Sequence, residues 1–392
     1  MGSCETPSRK PWIETPLIES AALSKAAGCH QGPLSLGIGN LILSHLNDPS
    51  NQGKKLHFYS SSGGNAGLAA VTAARDLGAP CTVVVPTITS QMMIDKLLAA
   101  GASDVLQKGA NWFEADTYMR QRFLSEPGQT NGASVDGASS SSTPVRPENG
   151  KVENGEEVRN IYISPFNHPE IWNGASTLVS ELAHQLPPRE QPPSTTQEHP
   201  PASFPADAIV CSVGGGGLFN GIVQGLGDYH SKATKFTNTT TRSTPKNTQV
   251  LAVETAGADS LSYSLQKGSL QRLPSMTSLA TSLGATLVAE KTYQNAISPP
   301  PGVDVSSIVL SDACAAQGVI SLLDETRLLV ELASAVCVNV AVGKGDGGKT
   351  PLKEVVKDFG PESRVVIVVC GGSNVTAEQV VEWRRRLAEG WE

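Results

Sequence analysis

From residue 56 onward, short apolar runs alternate with helical segments, and this alternation constrains the fold more than any other feature of the chain. The spacing predicts strands over 56–59, 81–85 and 104–107, followed by helices over 66–77, 90–100 and 111–124. The same rhythm returns later. A strand is expected over 208–213, a helix over 218–226, a strand over 250–253 with Glu254 at its end, and a strand over 364–369 before a last helix from Thr376. Residues 317–338 form a long apolar stretch, helical in at least its first half. Earlier, 18–27 and 39–46 look helical, while 28–37 shows no period. Strands that alternate with helices build βαβ units. The expected class is therefore α/β, with two open, mostly parallel sheets carrying helices on both faces. A length of 392 residues accommodates two such domains.

Three regions break the rhythm. Residues 126–157, 187–205 and 231–248 are rich in Gly, Ser, Thr, Pro and charged residues, and are expected as a disordered insertion and two further surface insertions.

The strand ends carry the chemistry. Ser60-Ser61-Ser62-Gly63-Gly64-Asn65-Ala66-Gly67 joins a strand to an Ala-rich helix. Its glycines let backbone come close to a ligand, its hydroxyls add donors, and the helix N-terminus favours an anion. Asn65 adds a flat amide able to meet a planar polar ring. Gly214-Gly215-Gly216-Gly217 stands in the same position in a second unit. A simple turn needs one or two glycines rather than four, so this run is expected to cradle a phosphate. Cys370-Gly371-Gly372-Ser373-Asn374 ends a third strand. Ligands bind at the carboxyl ends of strands in open parallel sheets, so the three turns are expected to share a crevice. Val253-Glu254-Thr255-Ala256-Gly257-Ala258-Asp259-Ser260 suits a hard monovalent cation, with helix capping an equally good account.

Other classes are disfavoured. A net charge of -7 argues against nucleic acid as the main partner. Seven cysteines without a C-x-x-C pair signal neither zinc nor a disulfide framework, and suggest a reducing, cytoplasmic setting. No run is long enough to span a bilayer. The Met1-Gly2-Ser3-Cys4-Glu5-Thr6 start matches the loose myristoylation pattern, with Glu5 against it. The G-x-G-x-x-G spacing of a nicotinamide site and the Walker lysine are both absent.

Together, Ser-Ser-Gly-Gly-Asn-Ala-Gly, Ser-Val-Gly-Gly-Gly-Gly, Ala-Val-Glu-Thr and Val-Cys-Gly-Gly-Ser-Asn, in this order, resemble the pyridoxal-phosphate-dependent serine/threonine dehydratases of the tryptophan-synthase β fold type. Thr15-Pro16-Leu17-Ile18-Glu19-Ser20 and the run from Pro165 to Gly174 fit as well. The resemblance implies a large cofactor domain over 1–38 and 169–392, and a small inserted domain over 39–168. It implies that Gly214, Gly215, Gly216 and Gly217 hold the cofactor phosphate, that Asn65 meets the ring hydroxyl, and that Cys370 lies near the ring nitrogen. It places Ser62, Gly64 and Ala66 around the substrate carboxylate, and Glu254, Ala258 and Ser260 around a monovalent cation such as K+. The implied reaction is β-elimination of L-serine or L-threonine to a 2-oxo acid and ammonia. Homodimers are common in that family.

One departure matters. The family carries its Schiff-base lysine in a Ser-x-Lys loop just before a helix start like Gly37-Ile38-Gly39-Asn40. Here Leu34 stands at the lysine's place, and the block before it is short by roughly a dozen residues. Lys25, Lys54 and Lys55 lie in the wrong context. No catalytic residue is therefore found, and the chain as written is expected to be inactive or nearly so. Matching flanks on both sides suggest that a local block has been lost. The alternative is a non-catalytic, cofactor-binding or regulatory relative. A smaller departure is the run from Glu331 to Cys337, where the family has Ala-Cys-Gly.

Overall fold

The computed structural model describes Leu17 and residues 30–31, 35–124, 152–153, 156–187, 203–235, 246–343 and 350–392. The expectations for residues 1–6, for 18–27, for Leu34 and for most of the three insertions lie outside them.

In chain order the elements are β1 (His30–Gln31), α1 (Ser35–Asn47), β2 (Lys55–Ser60), α2 (Asn65–Asp76), β3 (Cys81–Val85), α3 (Gln91–Ala100), β4 (Asp104–Gln107) and α4 (Trp112–Met119). A π-helical turn, Arg120–Leu124, follows α4. Next come β5 (Val152–Glu153), β6 (Glu156–Ile163), α5 (Pro169–Gln185), β7 (Ala208–Ser212), α6 (Gly217–Lys235), β8 (Thr248–Thr255), α7 (Ser260–Lys267), α8 (Glu290–Ile297) and β9 (Val303–Leu310). The chain closes with α9 (Asp312–Thr326), α10 (Leu332–Val342), α11 (Pro351–Val355), β10 (Val365–Val369) and α12 (Ala377–Ala388).

Two units divide the chain, one holding Ile38–Pro165 and the other Phe166–Glu392 with Ile13–Gly37. The first has a sheet in the order β4-β3-β2-β6-β5, parallel except for the β5–β6 pair. The second has the order β1-β10-β7-β8-β9, parallel throughout. The α/β class with two open sheets is thus observed. Every residue of β3, Cys81-Thr82-Val83-Val84-Val85, and of β10, an unbroken Val and Ile run, is buried, as a sheet covered on both faces requires.

Several expectations are corrected. The 126–157 insertion gives up its last residues to β5 and β6, because Val158, Ile161 and Ile163 extend into a strand beside β2. The 231–248 insertion begins inside α6 and ends inside β8. The 187–205 insertion ends in the core, where Phe204 is 1% exposed and meets Tyr229 edge-on at 5.2 Å. The apolar 317–338 stretch is helical in its first half as expected, and a second helix follows a break where Arg327 turns left-handed at φ 65°. Strand β9 escaped the sequence reading because Asp304, Ser306 and Ser307 interrupt its apolar residues within a half-buried middle. The stretch 28–37, without a period, supplies β1 and the start of α1.

Candidate active site

In the first unit, β2 runs into the Ser60–Asn65 turn and α2 begins at Asn65. The turn is held by its own serines. Ser62 N–H donates to Ser60 Oγ and Gly64 N–H to Ser62 Oγ, both at 3.4 Å. A Cβ on Gly67 would lie 1.9 Å from the Ser62 carbonyl oxygen, so only glycine lets the turn fold back on the helix. Ser62, Gly64, Asn65 and Ala66 are all partly exposed. Among the described residues, the N–H groups of Gly63 and Ala66 have no protein acceptor. Free N–H groups at a helix start form a seat for an anion.

In the second unit, β7 ends at Ser212 and α6 starts at Gly217, with the glycine run between them. The protein itself explains why these positions are glycine. A Cβ on Gly215 would fall 2.1 Å from the Phe166 ring, and one on Gly216, at φ +95°, 1.9 Å from Thr292 Oγ1. Counting glycines therefore does not separate a ligand cradle from a packed turn, contrary to the expectation above. The backbone donors do. Among the described residues none of the N–H groups of Gly214, Gly215, Gly216 and Gly217 has a protein acceptor, while the Gly215 carbonyl takes the Ala289 N–H and Thr292 Oγ1. Four adjacent orphan donors at the start of a long helix suit a phosphate dianion.

Cys370 follows β10 directly. Part of its surface is open, yet burial, then the nearby Glu331 carboxylate, push the thiol up to about 12. It is a neutral donor at physiological pH. Glu331 is a residue that the sequence reading did not single out. It is 4% exposed and binds the β10 turn from the start of α10. Its carboxylate accepts from Asn374 N–H at 2.9 Å and from Ser282 Oγ, and its own N–H donates to the Gly371 carbonyl. Asn374 Nδ2 donates to Thr281 Oγ1 at 3.1 Å. A cavity of about 180 Å³ opens beside them, lined by Thr281, Glu331, Asn374, Gln379 and Trp383 among others. One signal was available: a lone carboxylate immediately before the apolar run of α10.

Glu254 is fully buried within β8, and desolvation raises its carboxyl to about 8 against the two N–H groups that lower it. Those donors, Leu261 and Ser262 N–H, both lie at 2.8 Å, so Glu254 caps α7 from a distance. The capping account is observed. Next to it, the buried Ser260 Oγ has no partner, and among the described residues the Ala258 carbonyl accepts no hydrogen bond. No group of three His, Cys, Asp or Glu able to hold a metal occurs among the described residues. No helix there is long and apolar enough to cross a membrane.

Comparison with known proteins gives a consistent result. Residues 9–371 match the family profile described as pyridoxal-phosphate dependent enzyme. An L-serine dehydratase of Saccharomyces cerevisiae is 33% identical over 351 residues, which cover 89% of this chain and 86% of that one. A serine dehydratase-like protein of Rattus norvegicus is 31% identical over 382 residues, 95% and 94% of the two chains. Among solved structures, a fungal L-serine ammonia-lyase from Rhizomucor miehei superposes with a TM-score of 0.68 at 25% identity, covering 95% of this chain and 98% of that one.

Proposed function

The chain belongs to the pyridoxal-phosphate-dependent enzymes, and from that premise we propose that it carries the β-elimination site of an L-serine/L-threonine ammonia-lyase without the lysine that would anchor the cofactor. The observation that carries this reading is the set of four orphan N–H groups over 214–217. Their number and their partial positive charge suit a phosphate. Asn65 is assigned to the ring hydroxyl. Cys370, a neutral thiol, suits an uncharged ring nitrogen. Ser62, Gly64 and Ala66 are assigned to the substrate carboxylate, which the Gly63 and Ala66 N–H groups would receive. When bound, pyridoxal phosphate supplies the electron sink that lets a Cα proton and a β-hydroxyl leave.

The residues present fit the cofactor's phosphate and ring. They do not supply a covalent anchor or a proton shuttle at Leu34, so this chain is assigned binding and orientation rather than full turnover. Glu254, Ala258 and Ser260 are assigned to a monovalent cation such as K+. The unpartnered Ser260 hydroxyl and the bare Ala258 carbonyl support that assignment. A homodimer in the cytoplasm belongs to the same reading.

The test is equilibrium dialysis of the purified chain with pyridoxal phosphate, followed by a pyruvate assay with L-serine. Saturable binding with little pyruvate is expected. Absence of saturable binding would overturn the cofactor assignment, and pyruvate at an ordinary enzymatic rate would overturn the loss of turnover.

A further inference from the structure

In the first unit, one face of β2 leads to a cluster around the buried Asp116 that no assigned role uses. His57, Tyr59 and Ser61 alternate along the strand direction and so share that face. His57 stacks on Tyr59 at 4.5 Å, and Tyr59 stacks on Phe123 at 4.6 Å. Phe123 is carried there by the π-helical turn, a feature that often marks a functional position. The Phe123 carbonyl is held by Asn160 Nδ2 at 2.9 Å.

Ser61 closes this ladder. Its side chain is fully buried and donates to Asp116 Oδ1 at 2.6 Å. Tyr162 OH donates to the same oxygen at 3.0 Å, and Arg120 Nε donates to Oδ2 at 2.7 Å. The Arg120 guanidinium also lies over the Tyr162 ring, 3.9 Å from its centroid. Asp116 is 7% exposed, so three donors offset its desolvation. Burial, then the Asp116 charge, keep the Tyr162 phenol protonated and therefore a donor. Arg120 and Asp116 stand one helical turn apart, and Tyr162 pairs in register with Tyr59. Strand, helix and π turn thus converge on one serine.

That serine is the last fixed point before the anion seat. Beyond it the turn's own serines add only long contacts, both at 3.4 Å. We propose that Asp116, braced by Arg120 and Tyr162, is a positioning residue for the substrate carboxylate: through Ser61 it fixes the backbone from which Gly63 and Ala66 present their N–H groups. A flexible turn would have to be ordered on binding, and that cost would appear as lost affinity. The inference rests on the assignment of this turn to the carboxylate of L-serine.

The test is an L-serine titration of the full chain, following the amide signals of Gly63 and Ala66 by NMR, with thermal melting as the check on folding. Ser61→Ala leaves Asp116 with two donors and is the gentler variant; Asp116→Asn removes the charge. Each is expected to weaken L-serine about tenfold, as loss of one charged hydrogen bond implies. The double variant should be no weaker than the worse single one, because both cut the same link. Arg120→Lys, which keeps the charge, should retain most of the affinity. Asp304→Asn, in the other unit and bonded to Lys357, should bind as the parent does. Parent binding that persists in both Ser61→Ala and Asp116→Asn overturns the positioning role alone. A parent chain whose Gly63 and Ala66 signals ignore L-serine overturns both the role and the functional reading beneath it.

Discussion

Gly215 shows how two physical demands fall on one residue. Its N–H is free for a phosphate, and its missing Cβ makes room for the Phe166 ring. Gly215→Ala is therefore expected to cost about 2 kcal/mol from overpacking alone. In urea unfolding, Phe166→Ala combined with Gly215→Ala should cost less than the two separately; strict additivity would show that the ring is not what the glycine accommodates. His230 carries a second prediction. It is 6% exposed, beside Thr248 Oγ1 at 3.2 Å and against Gly302, and burial lowers its pKa. The unfolded chain then binds the proton more readily. The contribution is full above the unfolded pKa of about 6.5 and is lost as pH falls toward the folded value. Melting temperatures from pH 7.5 to 5 should drop in the parent and drop less in His230→Asn. At this scale sequence reading had uneven reach. Cys370 and the glycines stood out because they interrupt strand patterns. Glu331 and Asp116 did not, since their importance arises only from the chain segments packed around them.

Helix ends were better written in the sequence than helix breaks. Thr376 and Gln379 form a complete capping box at the start of α12, and the final helix was expected from that threonine. Asn111 likewise accepts the Glu114 N–H where α4 begins. The division between α9 and α10 was invisible, because Leu328, Leu329 and Val330 continue the apolar run through it. Only packing makes the break necessary. Gly318 presses so closely on α10 that a Cβ would lie 2.1 Å from the Ala335 carbonyl oxygen. Two short helices can cross there, and one long helix cannot. The capping box permits a clean test. Thr376→Ala should lower stability by about 1 kcal/mol, seen as a lower urea midpoint with unchanged slope. A variant as stable as the parent would mean that the hydrophobic face of α12, through Val380 and Trp383, fixes its start unaided.

At the scale of the whole chain, the two sheets were legible because βα alternation is a long-range pattern that insertions interrupt without erasing. What the alternation does not encode is the identity of single residues, and the proposed loss of the lysine rests on the short block before Gly37, with Leu34 at the lysine's place. The proposed loss has a testable consequence. The donors over 214–217, Cys370 and the Glu331 brace are held by the protein's own contacts, so on the proposed reading affinity for pyridoxal phosphate should rest on noncovalent contacts. Bound cofactor is expected to leave on exhaustive dialysis, and borohydride treatment before dialysis should leave none attached to protein. An ordinary family member carrying its lysine would keep the cofactor after the same treatment. Cofactor fixed to this chain by borohydride would show that another lysine reaches the ring, and peptide mapping would identify it. Sequencing the transcript across Cys29 to Gly39 separates the remaining origins. A longer block with a Ser-x-Lys segment would restore the anchor, and the full protein should then retain cofactor and release pyruvate. The block as written would make reversible binding, and whatever partner or signal it serves, the property to pursue.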